Sequence, residues 1–118
     1  MYKNTRQKWT RFDSIVANIV NSADPEHLLS YGAPRDEYDP ELRLISLGIK
    51  KLVLRQRELV AQGVLPVDEE NVLSVEQVET LVVRVWQKMF GKARFVRSLG
   101  WVSRCIAAEY MIYQGRVV

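Results

Sequence analysis

Residues 74–91, SVEQVETLVVRVWQKMFG, decide the fold. Ser74 and Gln77 stand three apart ahead of an apolar run, which is the spacing of a capping box. In that motif the Ser hydroxyl accepts the amide of the third helical residue, and the Gln side chain accepts the Ser amide in return. Val75, Val78, Leu81, Val82, Val85, Trp86 and Met89 then recur at steps of three and four, on one helical stripe. Gly91 supplies the stop, because a residue without Cβ enters the left-handed region freely. The stretch predicts an amphipathic helix with both ends specified.

The same grammar reads outward in both directions. Asn4 to Asn21 carries Trp9, Phe12, Ile15, Val16, Ile19 and Val20 on one stripe, with Lys8, Arg11, Asp13 and Asn18 largely opposite. Asp-Pro-Glu occurs twice, at 24–26 and 39–41. In each copy Asp reads as an N-cap and Pro as the first helical residue, with Glu favourable against the positive end of the helix dipole. Asp24 is therefore expected to cap a short helix in the 24–32 region, closed by Gly32 and Pro34. Asp39 is expected to cap a long helix from Pro40 to about Gln62, stopped by Gly63 and Pro66. Its seam is Leu42, Ile45, Ile49, Leu52 and Leu59, broken by Gln56, with a sparser set, Leu44, Leu47 and Leu54, roughly opposite.

A last helix is expected from about Ala93 to Gln114. It is apolar on two faces: Phe95, Leu99, Val102, Ile106, Tyr110 and Tyr113 make one stripe, and Trp101, Cys105, Ala108 and Ile112 make another. Such a helix either sits centrally in a bundle or buries one face in a partner. With 118 residues, 47% hydrophobic and 26% charged, the chain reads as one all-α domain, 1–118, built as a bundle of four main helices plus the short one.

The stretch from Asp24 to Glu41, DPEHLLSYGAPRDEYDPE, resembles the signature of the YugE-like family of small bacterial helical proteins. Leu73-Ser74-Val75-Glu76-Gln77 and Trp86-Gln87-Lys88-Met89-Phe90-Gly91 resemble that family's third helix and its ending. After Gly91 the chain departs from the family pattern, with a longer and more basic segment from Lys92 to Val118. The resemblance implies a helical fold and a bacterial, cytoplasmic setting, and it carries no catalytic residue to this chain.

The residues that carry chemistry are few. Asp36, Glu37, Asp39 and Glu41 cluster four carboxylates, but the D-x-D-x-D-G calcium spacing is absent and capping explains Asp39 and Glu41, so no metal site is expected. The single His27, beside Asp24 and Glu26, lacks an oriented nucleophile and reads as a surface or packing residue. Cys105, the single cysteine, excludes an intramolecular disulfide and reads as a small helix-packed thiol. Phe90-Gly91-Lys92 lacks the second glycine of a phosphate loop. Trp9, Trp86 and Trp101 all fall on helix stripes, the ordinary place of core aromatic residues. No enzyme and no cofactor are expected. The N-terminus, MYKNTRQKWTRF, has no apolar core of a secretory signal, and no run approaches the roughly 18 apolar residues of a membrane span. No membrane association is expected.

Charge is divided unevenly. The formal net charge is +3, yet residues 24–41 hold six acids against one base, and residues 84–116 hold seven bases against one acid. The residues expected to meet a partner are Arg97, Trp101, Arg104 and Ile112 on the last helix, with Lys50, Lys51 and Arg55 on the second. The leading expectation is a protein-interaction module, an inhibitor or immunity-type sequestering protein without catalysis. A homo-oligomer through the C-terminal helix is a second expectation. The rival is a basic nucleic-acid-binding regulator, disfavoured by the acidic turn and the scarcity of base-reading Asn and Gln.

Overall fold

The computed structural model describes residues 2–34, 36–70, 72–91 and 96–117, and the side chains of 11–34, 36–70, 72–91 and 96–113. Among the described residues there are four helices, α1 (Tyr2–Ala23), α2 (Asp39–Ala61), α3 (Val75–Phe90) and α4 (Ser98–Val117), with a 3-10 turn at Val67–Glu69. Helix α1 packs on α2 and α4, and α3 packs on the same two, so the helices close a ring. The diagonal pairs, α1 with α3 and α2 with α4, do not pack on each other among the described residues. There is no strand among those residues, and the fold is the expected all-α bundle.

Each helix buries one stripe. Phe12, Val16 and Val20 of α1 are fully buried, as are Val78, Val82 and Trp86 of α3. On α4 the buried apolar set is Leu99, Val102, Ile106, Ala107, Tyr110 and Tyr113: the first of its two predicted stripes without Phe95, a residue outside those described, joined by Ala107. Phe12 ties α1 to α4 through Tyr110, edge to face at 5.6 Å, and through Tyr113 at 5.4 Å. On α2 the buried apolar residues are Ile45, Ile49 and Val53, while Leu42, Leu52 and Leu59 are half-buried. The seam is thus rotated toward Val53 relative to the expected one. Gly48 lets α2 approach α3: a Cβ there would meet the Leu81 side chain, with Cδ2 2.9 Å away.

The helix ends repay attention to detail. The capping box of α3 is formed, with Ser74 Oγ accepting from Gln77 N at 3.1 Å and Gln77 Oε1 accepting from Ser74 N at 2.9 Å. The end of α2 is a Schellman closure: Gly63, at φ 78°, donates to Val60 O, and Val64 donates to Leu59 O. Gln56, the break in the apolar seam, is buried and donates through Nε2 to Glu69 O at 2.9 Å and Val72 O at 3.1 Å. The interruption in the hydrophobic pattern is therefore the residue that fastens the α2–α3 connector.

Four expectations about the elements are corrected. Residues 24–32 form successive turns in place of the short helix, and the short helical element lies instead at Val67–Glu69. Asp24 does not cap a helix start. It follows the end of α1 at φ 46°, outside the extended region an N-cap needs, and donates its amide to Val20 O. Asp39 is not the N-cap of α2 either: that place falls to Tyr38, without a side-chain cap bond, and Asp39 is the first helical residue. A fourth correction concerns the start of α4, at Ser98 and not Ala93; Val96 and Arg97 precede the helix, and Ala93 lies outside the described residues.

Candidate functional site

Two regions collect the polar and exposed apolar groups: the turns between α1 and α2, and the outer surfaces of the helices. In the turns, Asp24 is buried and accepts four hydrogen bonds, from Leu29 N at 3.1 Å, Ser30 N at 2.9 Å, Ser30 Oγ at 2.7 Å and Tyr38 Oη at 2.7 Å. The Tyr38 hydroxyl in turn accepts from Glu26 N at 3.0 Å, and Trp86 Nε1 donates to Glu26 Oε2 at 2.8 Å. The Tyr38 and Trp86 rings lie 5.9 Å apart, and Trp86 stacks on Phe90 at 5.4 Å. Burial alone would raise the Asp24 carboxyl, but the bonds from Ser30, Tyr38 and the Leu29 amide outweigh it and hold the group well below the usual carboxylate range. Burial, together with the Asp24 partner, pushes the Tyr38 hydroxyl up to about 12. Each of these bonds goes to another part of the fold, and together they turn the acidic segment back onto α3.

The remaining carboxylates of that segment do not converge. Asp36 and Glu37 are exposed, Asp39 is half-buried and Glu41 is buried, where desolvation raises its pKa against an opposing bond from its own amide. Among the described residues no group of three His, Cys, Asp or Glu side chains is arranged to hold a metal ion. His27 is exposed in a left-handed turn conformation at φ 57°.

The second predicted stripe of α4 lies outside the core. Trp101 is 43% exposed and Ile112 is 46% exposed; Ala108 is exposed and Cys105 half-buried between them. Met111, also exposed, lies about 90° around the helix, on the side of Arg104. Arg104 is exposed beside this stripe, and Arg97 is exposed just before the helix begins. Arg104 leans toward α3: its Nη1 and Glu79 Oε2 would sit 3.6 and 3.5 Å from a Cβ placed on Gly100. Of the three tryptophans, Trp86 is core, Trp101 is surface and the Trp9 side chain lies outside the described residues.

The bases of α2 are not joined to those of α4, since the two helices are diagonal across the ring. Nor do they form one row among themselves. Lys50 is half-buried on the flank facing α1, whereas Lys51 and Arg55 are exposed and, at about 100° per residue, fall on the other flank. Arg94, which would extend the α4 set, lies outside the described residues.

Sequence reasoning missed a cleft of about 410 Å³ between α1 and α2. Its walls include Asp13 and Ala17 from α1 and Asp39, Leu42, Arg43, Ser46, Leu47 and Lys50 from α2. The α2 residues follow steps of three and four, so one face of that helix forms the wall. The sparse apolar set opposite the α2 seam was the available signal: Leu47 belongs to it and is 50% exposed in the cleft. No helix among the described residues is long and apolar enough to cross a membrane. The chain matches no protein-family model, no curated protein and no solved structure.

Proposed function

We propose that the protein is a helical interaction module that binds an acidic protein surface through the outer face of α4, and that it acts by masking that surface, in the manner of a sequestering inhibitor. What carries the reading is the exposure of Trp101 and Ile112 on a helix whose other stripe already fills the core. An exposed aromatic flanked by aliphatic groups and Arg is the composition of interface hot spots. Arg104, exposed beside this stripe, and Arg97, exposed just before the helix, favour an acidic occupant over a second copy of the same face. Family kinship with the YugE-like proteins forms part of the proposal and rests on residues 24–41.

The nucleic-acid reading is weaker because a phosphate backbone needs a continuous basic track, and Lys51 and Arg55 lie on a helix diagonal to Arg104. The test is photo-crosslinking in the source cell from a benzoylphenylalanine placed at residue 101, with the same probe at exposed Leu54 as control. The reading predicts one discrete acidic protein crosslinked from 101 and absent from 54, and its loss with Arg104→Glu. Crosslinking mainly to nucleic acid, or to this same chain, would overturn it.

A further inference from the structure

The α1–α2 seam, away from the outer face of α4, holds three features that packing leaves unexplained. Asp13 Oδ1 is buried and has no hydrogen-bond partner, a costly state for a carboxylate oxygen. Tyr113 Oη, also buried and unpartnered, feels the Asp13 charge but makes no bond to it, and since Asp13 lines the cleft a donor entering there can reach it. Leu47, on the facing wall, leaves half its surface exposed in the same space, beside half-buried Leu42. Arg43, exposed, brings a guanidinium to that wall, and Ser46, buried at 8% exposure, a hydroxyl.

A single kind of molecule answers all of these. From this combination we infer that the cleft binds a compact zwitterion with an aliphatic body, of the size and chemistry of a free branched-chain amino acid. Its ammonium donates to Asp13 Oδ1, its carboxylate meets Arg43, and its side chain covers Leu42 and Leu47. A cleft of about 410 Å³ lies within the roughly 300–1,000 Å³ of small-molecule sites. A purely anionic ligand would be opposed by Asp13 and Asp39, and a purely cationic one by Arg43 and Lys50. The site is independent of the partner surface on α4, and either can be disproved alone.

The probe is L-leucine, titrated into the full chain to about 10 mM and followed by amide chemical shifts, a range that resolves dissociation constants near 1 mM. Saturable shifts should map to residues 13–17 and 42–50. Isopentylamine, which lacks the carboxylate, and 4-methylpentanoate, which lacks the ammonium, should each bind at least about tenfold more weakly, because each forfeits one charged hydrogen bond. Asp13→Asn should weaken leucine binding about tenfold or more with the melting temperature not lowered, since it removes a carboxylate that has an unpaired oxygen in the free protein. Arg43→Gln should do likewise. Absence of saturable shifts, shifts centred elsewhere, or leucine affinity indifferent to both substitutions would overturn the assignment.

Discussion

Asp24 shows how one side chain can organise a segment that has no regular structure. Its carboxylate gathers two amides and two hydroxyls from residues 29, 30 and 38, and Tyr38 passes the connection to the Glu26 amide. Asp24→Ala should therefore cost about 2–3 kcal/mol in urea unfolding, because the buried Tyr38 hydroxyl and three part-buried donors lose a charged acceptor. The pH dependence follows in sign. Asp24 has a depressed folded pKa, so its contribution is complete above the unfolded value near 3.8 and is lost as pH falls below it. Glu41 has a raised folded pKa, so its contribution runs the other way: present below its unfolded value of 4.5 and lost as pH rises through the folded one. Tyr38 likewise loses stability as pH rises from its unfolded value of 10 to about 12. Asp24→Asn should flatten the acid limb of a stability–pH curve and, because the Asp24 carboxylate helps to raise Tyr38, make the alkaline limb shallower as well. The Asp24 role was illegible beforehand because Asp-Pro-Glu has the same letters whether it begins a helix or leaves one. Only the positive φ, imposed by the exit from α1, decides between them.

At the scale of the element, caps with reciprocal chemistry were readable and single-residue caps were not. Ser74 and Gln77 constrain each other, so the pair specifies its geometry; Asp39 next to Pro40 could occupy either of two adjacent positions. Ser74→Ala should accordingly cost about 1 kcal/mol, while Asp39→Ala should cost only about 0.3–0.5 kcal/mol, the dipole contribution of a first-turn carboxylate. Thermal or urea unfolding of the two variants side by side checks the difference. The two-faced pattern of α4 was legible as a pattern, since its buried stripe lies where the three-and-four spacing put it. Which stripe would be buried depended on neighbours: Phe12 of α1 docks between Tyr110 and Tyr113 and fixes the helix rotation. The cleft was not legible, because it arises from two helices that touch less closely than the others and from Leu47, whose isolated place in the sequence says nothing of a facing wall.

Across the whole molecule, the ring of four helices separates charge. The acidic turns close one connection, and the basic residues of α2 and α4 lie on helices that do not pack on each other. Binding to random duplex DNA should therefore be weak, about 10⁻⁵ M or poorer at physiological salt, with the steep salt dependence of non-specific contact. Fluorescence anisotropy with a labelled duplex measures it; sub-micromolar affinity lost in Arg97→Glu with folding intact would favour the regulator. Light scattering of the isolated chain should give a monomer, because Arg97 and Arg104 border the α4 face; a larger species whose mass falls with Ile112→Glu would make a second copy its occupant. Both measurements bear on who covers α4. Whether α4 has a face to spare is more basic still, and equilibrium unfolding of Trp101→Glu beside Ile106→Ala tests it most directly. The account predicts that Ile106→Ala, a fully buried truncation, costs about 3 kcal/mol, while Trp101→Glu, at a side chain 43% exposed, costs only about 1–1.5 kcal/mol. A loss of about 3 kcal/mol or more from Trp101→Glu at dilute protein would mean that the outer stripe belongs to the core, and would contradict the account.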